Sequence, residues 1–510
     1  MIGRFNLIDA PWIPCTRQDG ARVLVGLREV LEQAQRYRSV ESGNPLVDAS
    51  IVRLLLAILH RVLGPPDRAA WAQHWQAGRW PAEELRSYLN RWADRFYLFD
   101  DVHPFFQADD PRVKPKSVVT LVFSMASGNN ATLFDHHTEE GGASLTPAEA
   151  AQALVAAQTF SLAGLSGLPQ KFTDAACARG VVFFLEGHNL FETLALNLLR
   201  YDANHPAPPL CQAEDDRPAW EADDAYMPER QVPLGYLDYL TWPIRRIRLI
   251  PEEGPDGVCV RQFTVGPGLR LSPDLLDPMK LFSVDEKRGY RVLRFVEDRV
   301  LWRDSSALFQ VRSQQRRPPV VMEWVSTLVL DGILPQSARY TIQALGMAND
   351  QAKVEFLRSE RFSMPMPYLV DESLVADLDL GLQQAEAAHR ALSGAAWVMA
   401  KTLMAPSNNL QGARQPDKDD VNRLVDHWGS KRIFWSRLEV PFRLFLDQLP
   451  DDHGRAVNLW RAAVRSIAYE AFGYAESQAS IDPAGYKATS QGRSFLNREM
   501  GKLFKYEVKI

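Results

Sequence analysis

Cysteine is scarce in this chain. Four occur, Cys15, Cys177, Cys211 and Cys259, and no two form a CxxC pair. Disulfide frameworks are much denser, so a reducing cytoplasm is the expected setting. Long apolar runs are missing too. The stretch Ile51 to Val62 is interrupted by Arg53, His60 and Arg61, too short and too amphipathic to cross a bilayer, and no membrane association is expected. The opening MIGRFNLIDAPWIP has no basic segment leading into an apolar one, so no signal peptide is expected. Charge of either sign is barely in excess, with a net −5 over 510 residues. This balance does not announce a nucleic-acid binder, but binding needs only a local patch.

Complete catalytic motifs are also lacking. No GxSxG elbow, HExxH or kinase-type set is present. Gly266-Pro267-Gly268 is a fragment of a phosphate loop at best, since proline removes an amide donor that such loops need, and a turn is expected there. The tract Asp135-His136-His137-Thr138-Glu139-Glu140 gathers potential metal ligands, yet adjacent histidines on a loop lack the i, i+4 spacing that presents two together. His103 and His188 have no carboxylate at a useful spacing. For a chain of this length, such gaps favour a binding subunit over an enzyme. The competing reading is a metal-dependent nuclease or hydrolase using Asp135, His136 and Glu139.

At this length, two to four domains are expected, with 46% hydrophobic and 24% charged residues as in ordinary globular protein. The first hundred residues read as mainly helical. Ile51, Leu54, Leu55, Ile58 and Val62 recur at helical spacing, and Pro81 to Phe96 forms a second such stretch. From about 115 to 365 the pattern is mixed, with strand-like runs at Val118–Phe123, Val181–Leu185, Ile244–Ile250, Val260–Val265 and Val292–Val296. Residues 202–233 are rich in proline and acid, the composition of a surface excursion. After Met364-Pro365-Met366-Pro367, amphipathic segments at roughly 372–405, 419–449, 455–474 and 488–506 predict a four-helix bundle. The expected class is α+β, with a mixed N-terminal domain over 1–367 and a helical one over 368–510.

Arg339 to Met347 and Lys353 to Phe362 are two extended runs around Ala348-Asn349-Asp350-Gln351-Ala352. Asparagine and aspartate tolerate turn angles, so a hairpin is predicted, with Lys353, Arg358 and Arg361 making its descending arm basic.

Several short motifs, taken in order, resemble the CasA family, the large subunits of type I-E CRISPR Cascade complexes. Asn6-Leu7-Ile8-Asp9-Ala10-Pro11-Trp12 opens the chain. Arg95-Phe96-Tyr97-Leu98-Phe99 leads to His103-Pro104-Phe105-Phe106-Gln107, and Ser127-Gly128-Asn129-Asn130 precedes Leu133-Phe134. Pro218-Ala219-Trp220-Glu221, Tyr239-Leu240-Thr241-Trp242, Asn349-Asp350-Gln351-Ala352 and Leu438-Glu439-Val440-Pro441-Phe442 follow. The resemblance implies a non-catalytic subunit that reads a short motif beside the target, the PAM, from the minor groove, while guide RNA reads the target by pairing. That groove separates A·T from G·C poorly, so tolerance of several PAMs is expected.

The resemblance also implies roles for residues. Gln351, with Asn349, Asp350 and Ala352 at the hairpin tip, stands where the family's wedge parts the strands. Gly164, Ser166 and Gly167 stand in its glycine loop, Lys280 where a lysine enters the groove, and Phe134 on a loop near the guide's 5′ end. The C-terminal bundle would contact small subunits and the displaced strand, with Arg493, Arg498 and Lys502 facing phosphate. Partners would be other Cascade subunits, guide RNA, double-stranded target DNA and a helicase-nuclease. Some relatives carry a CxxC zinc element before the lysine region. Here only Cys259 occurs there, so no zinc or other cofactor is expected.

Overall fold

The computed structural model describes residues 4–505 apart from 123–142, 205–208, 286, 288, 298, 312, 314, 351–352 and 406–415. A mixed helix-and-sheet region precedes a C-terminal region that is helical throughout its described residues, the α+β class expected. The chain forms two compact units, Met1–Glu297 with Gln310–Met364, and Asp298–Phe309 with Pro365–Ile510.

The first unit is built around the helix Pro45–Leu63. Asn44 caps it by accepting the Leu46 N–H, and Pro45 sits in the first turn, where no amide is needed. Its buried set extends beyond the apolar stripe to Arg53 and His60, so this is an interior helix. The second expected helix ends earlier, as Ala82–Arg91 followed by a 3-10 turn at Ala93–Arg95.

Three of the expected strands form, as Val182–Glu186, Arg245–Gly254 and Gly257–Pro267. The last two pair antiparallel, with Arg245 opposite Pro267. Gly266-Pro267 therefore ends a strand and is not a turn. Two other expectations fail. Val118–Leu121 closes into a 3-10 turn, because the neighbours Val118 and Val119 are both buried, which one-in, one-out strand alternation does not allow on a one-sided sheet. Beyond Gly289–Val292 the chain leaves its sheet.

The acidic stretch 202–233 is not simply a surface excursion. Asp216, Trp220, Glu221 and Tyr226 are buried. Asp216 accepts from the Tyr201 hydroxyl at 2.6 Å and from the Leu237 and Asp238 N–H groups at 3.0 and 2.9 Å. Glu221 takes both arms of the Arg61 guanidinium at 2.8 Å and the Tyr88 hydroxyl at 2.7 Å. Composition marks acids as solvated, whereas these two serve as acceptors for donors supplied from distant sequence.

In the second unit the helix Glu372–Met404 packs with Ser430–Gln448, His453–Ser477 and Pro483–Leu503. The segment expected at 419–449 is broken, because Gly429 takes a left-handed φ of 66° between Lys418–Trp428 and Ser430–Gln448. Small residues allow close packing: a Cβ on Gly381 would lie 2.6 Å from the Phe445 ring, and the Trp460 indole N–H donates to the Gly381 carbonyl at 2.9 Å. Trp302, from the segment inserted out of the first stretch of sequence, stacks on Phe442 with centroids 4.4 Å apart.

Candidate nucleic-acid interface

The strand Val182–Glu186 is the scaffold to which two of the predicted elements attach. Along one edge it pairs antiparallel with Arg339–Asp350, Thr341 opposite Glu186 and Leu345 opposite Val182. The strand Lys353–Pro365 lies beyond that partner, completing the predicted hairpin. Gly346 is required at the crossing, since a Cβ there would meet the Gly180 carbonyl at 2.8 Å. Val182 also bridges Lys280, with the Phe183 N–H donating to the Met279 carbonyl at 2.8 Å. The glycine-containing loop, closed by Gly164 and Phe172, lies ahead of the strand in sequence, with residues 173–181 between them.

That loop is closed at its neck by the pair Gly164 and Phe172, which exchange two backbone hydrogen bonds of 3.3 and 3.0 Å. The Ala163 N–H donates to Asp174 Oδ1 at 2.7 Å. At the tip, Gly167 has φ +78° with nothing within 4 Å of a would-be Cβ, and the Leu165 side chain is 83% exposed. The Ser166 hydroxyl points inward: it accepts from the Leu168 N–H at 3.0 Å and donates to the Gln170 carbonyl at 2.5 Å. It shapes the turn and is not presented as a free group.

Two buried cations donate to backbone at or shortly after the loop. Arg245, 3% exposed, donates through Nη2 to the Leu162 and Thr173 carbonyls at 2.7 and 2.9 Å, with its guanidinium 4.5 Å from the Phe172 ring centroid. Burial pushes its pKa down to about 10, and Asp174 opposes that through space. Lys280 is 7% exposed, and its Nζ donates to the Ala176 carbonyl at 2.5 Å. The lysine expected to reach outward is thus turned inward here.

The turn that carries Lys280 is held from the interior. Asp277 Oδ2 accepts from the Tyr239 hydroxyl at 2.5 Å and lies 3.8 Å from Arg53 Nη1, while Oδ1 accepts the Met279 N–H at 2.7 Å. Burial, reinforced by the Asp277 charge, raises the Tyr239 hydroxyl well above its usual pKa, and burial likewise raises the Cys177 thiol. Neither Arg53 nor Arg245 stands out as a site residue in the linear pattern. Signals for both exist: Arg53 lies within an apolar helical stripe, and Arg245 shares an alternating strand face with Ile247 and Leu249.

At the hairpin, Asn349 and Asp350 end the strand Arg339–Asp350, while Gln351 and Ala352 lie outside the described residues. The basic arm is less available than its composition suggests. Arg361 donates Nε to both oxygens of Glu186 at 3.0 and 2.8 Å, and Arg358 lies 2.6 Å from Glu360. The cations of the last helix are paired as well: Arg493 with Glu476 at 2.8 Å, Arg498 with Glu499 at 3.0 Å, and Lys502 with the same Glu499 at 2.9 Å.

Phe134, Asp135, His136 and Glu139 lie outside the described residues. His188 does have a carboxylate at useful spacing, because Glu192 one helical turn on lies 2.7 Å from Nδ1. Among the described residues no cluster of three metal-binding side chains occurs, and no helix is long and apolar enough to cross a membrane.

The model of the family described as CRISPR-associated protein Cse1 matches residues 6–471. The CRISPR-associated protein CasA/Cse1 of Thermus thermophilus is 36% identical over 98% of each chain. The crystal structure of Cse1 from Acidimicrobium ferrooxidans superposes with a TM-score of 0.80 at 25% identity, covering 99% of both chains. A chain of a CRISPR RNA-guided surveillance complex superposes with a TM-score of 0.72 at 23% identity over 97% of this chain and 99% of that one, a likeness of fold.

Proposed function

The chain belongs to the CRISPR-associated Cse1 (CasA) family, and from that premise we propose that it is the large, non-catalytic subunit of an RNA-guided DNA surveillance complex. Guide RNA reads the target by base pairing, and this subunit reads the PAM from the minor groove and helps the first base pairs to open. Its partners are the other Cascade subunits, guide RNA and double-stranded target DNA, and it helps to recruit the helicase-nuclease that degrades the target.

The observation that supports this reading most is the attachment of hairpin and Lys280 turn to one strand, Val182–Glu186. A rigid shared scaffold keeps separate groove-reading elements in register, which minor-groove readout requires. Gln351 acts as the wedge, with Asn349, Asp350 and Ala352 forming the tip around it. Gly164, Ser166 and Gly167 shape a loop whose bare backbone approaches base edges. Lys280 enters the groove by exchanging the Ala176 carbonyl for an acceptor on the DNA. Phe134 contacts the guide near its 5′ end, and Arg493, Arg498 and Lys502 meet phosphate by exchanging their carboxylate partners.

The test is R-loop formation by the assembled complex on fully paired DNA and on DNA pre-opened beside the PAM. Parting a base step costs a few kcal/mol, and a wedge offsets part of that. Gln351→Ala should slow R-loop formation on paired DNA, and pre-opening should restore most of the rate. Asn349→Ala and Lys280→Ala should instead change binding according to PAM sequence and be rescued less. Equal defects of Gln351→Ala on both substrates would remove the wedge from the mechanism.

A further inference from the structure

Among the described residues Arg245 is a cation buried without a direct ion pair, Asp174 acting on it only through space. Its guanidinium donates to three carbonyls, those of Ile244 at 3.0 Å, Leu162 at 2.7 Å and Thr173 at 2.9 Å. Burying a charge in this way is costly unless donors and geometry are well used. A neutral residue would fill the space more cheaply, so the charge marks a task. Leu162 and Thr173 are the two chain segments entering and leaving the glycine-containing loop, one residue outside the Ala163 and Phe172 positions. A single nitrogen, Nη2, ties both.

The clamp is itself held. The Arg245 N–H donates to Gln158 Oε1 at 3.1 Å, and the Arg245 carbonyl accepts from Gln158 Nε2 at 2.9 Å and from the Tyr226 hydroxyl at 2.7 Å. Gln158 sits on the helix Pro147–Phe160, which is buried along most of its length. The Phe172 ring covers the guanidinium from the loop side. The planar guanidinium bonds the Leu162 and Thr173 carbonyls through Nη2 and the Ile244 carbonyl through Nη1 with its carbon over the ring, a spread of donors that a single ammonium nitrogen cannot reproduce.

We propose that Arg245 is the positioning residue of this loop: it draws the loop's two ends together so that the tip, with Leu165 and Gly167 exposed, is presented to DNA in one conformation. The role in target reading rests on the function proposed above, whereas the clamp itself does not. It acts by preorganisation, sparing the complex the cost of ordering the loop at the moment of contact.

The experiment uses Arg245→Met, which keeps much of the volume and removes the fork, and Phe172→Leu, which removes the ring at a half-buried position should the first variant fail to fold. In the full chain, amide hydrogen exchange at Gly164 and Phe172 should accelerate at least tenfold, with the strand Gly257–Pro267 unaffected. In the assembled complex, R-loop formation on paired DNA should slow by a similar factor. Unchanged exchange at Gly164 and Phe172, or equal acceleration along Gly257–Pro267, would overturn the clamp. Accelerated exchange with an unchanged R-loop rate would leave the clamp standing and overturn the loop's part in target reading.

Discussion

Replacing Asp277 by asparagine removes one charge from the node that holds the Lys280 turn. Arg53 and Asp277 are 2% and 3% exposed at their side chains and 3.8 Å apart. At an effective dielectric of 20 their attraction is about 4 kcal/mol. Asp277→Asn leaves the guanidinium buried without that counter-charge, beside the Met279 sulfur at 3.1 Å and the Tyr239 ring face, 5.4 Å from its centroid. Removing one member of a buried pair costs about 3–5 kcal/mol, because the other charge is left without compensation. Arg53→Met leaves the carboxylate with the Tyr239 hydroxyl and the Met279 N–H, and should fall at the lower end of that range. The double variant should cost less than the sum, by as much as about 3 kcal/mol. The assay is denaturant unfolding of the full chain, following the transition of the first unit, with each variant fitted separately. Costs that add to within about 0.5 kcal/mol would refute the coupling, and with it the view that this pair anchors the turn.

Other outcomes can be checked more briefly. Reversing Arg493, Arg498 and Lys502 together should weaken target binding by the assembled complex and flatten its salt dependence, the slope of log K against log salt falling by about 0.9 for each lost duplex phosphate contact. An unchanged slope would mean that Glu476 and Glu499 are the only anions these side chains meet. His389 is pushed down to about 4, first by burial and then by Arg303. Between that value and the ordinary histidine range the unfolded chain binds the extra proton, so the second unit should lose stability as pH falls from 6.5 towards 4, by at most about 1.4 kcal/mol per pH unit. His389→Leu should remove that slope in thermal melts. In the first unit His60, lowered to about 4 by burial, acts the same way, but Asp48, raised to about 6 by burial, acts oppositely, so its net acid dependence should be weaker. The isolated chain should not cleave DNA with Mg²⁺ or Mn²⁺; cleavage abolished by His136→Ala would favour the nuclease reading.

Helical and strand periodicity, proline punctuation and the Asn349-Asp350 turn signal were enough to find the α+β class, the hairpin strands and the helical C-terminal region. These features depend on neighbours in sequence, where side-chain spacing and backbone preference act directly. The order of short motifs was enough to indicate the family. What periodicity could not determine was which charges face inward. Asp216 and Glu221 sit in a segment with the composition of a solvated loop, Lys280 has that of a surface lysine, and Arg361 that of a free basic arm. Each is instead engaged by a group that folding brings to it: Asp216 by Tyr201, Glu221 by Arg61, Lys280 by the Ala176 carbonyl and Arg361 by Glu186. Only the tertiary structure decided these pairings, because the free energy of a charged side chain is set by the donors and acceptors that long-range folding brings within about 3 Å, and local sequence carries no record of them.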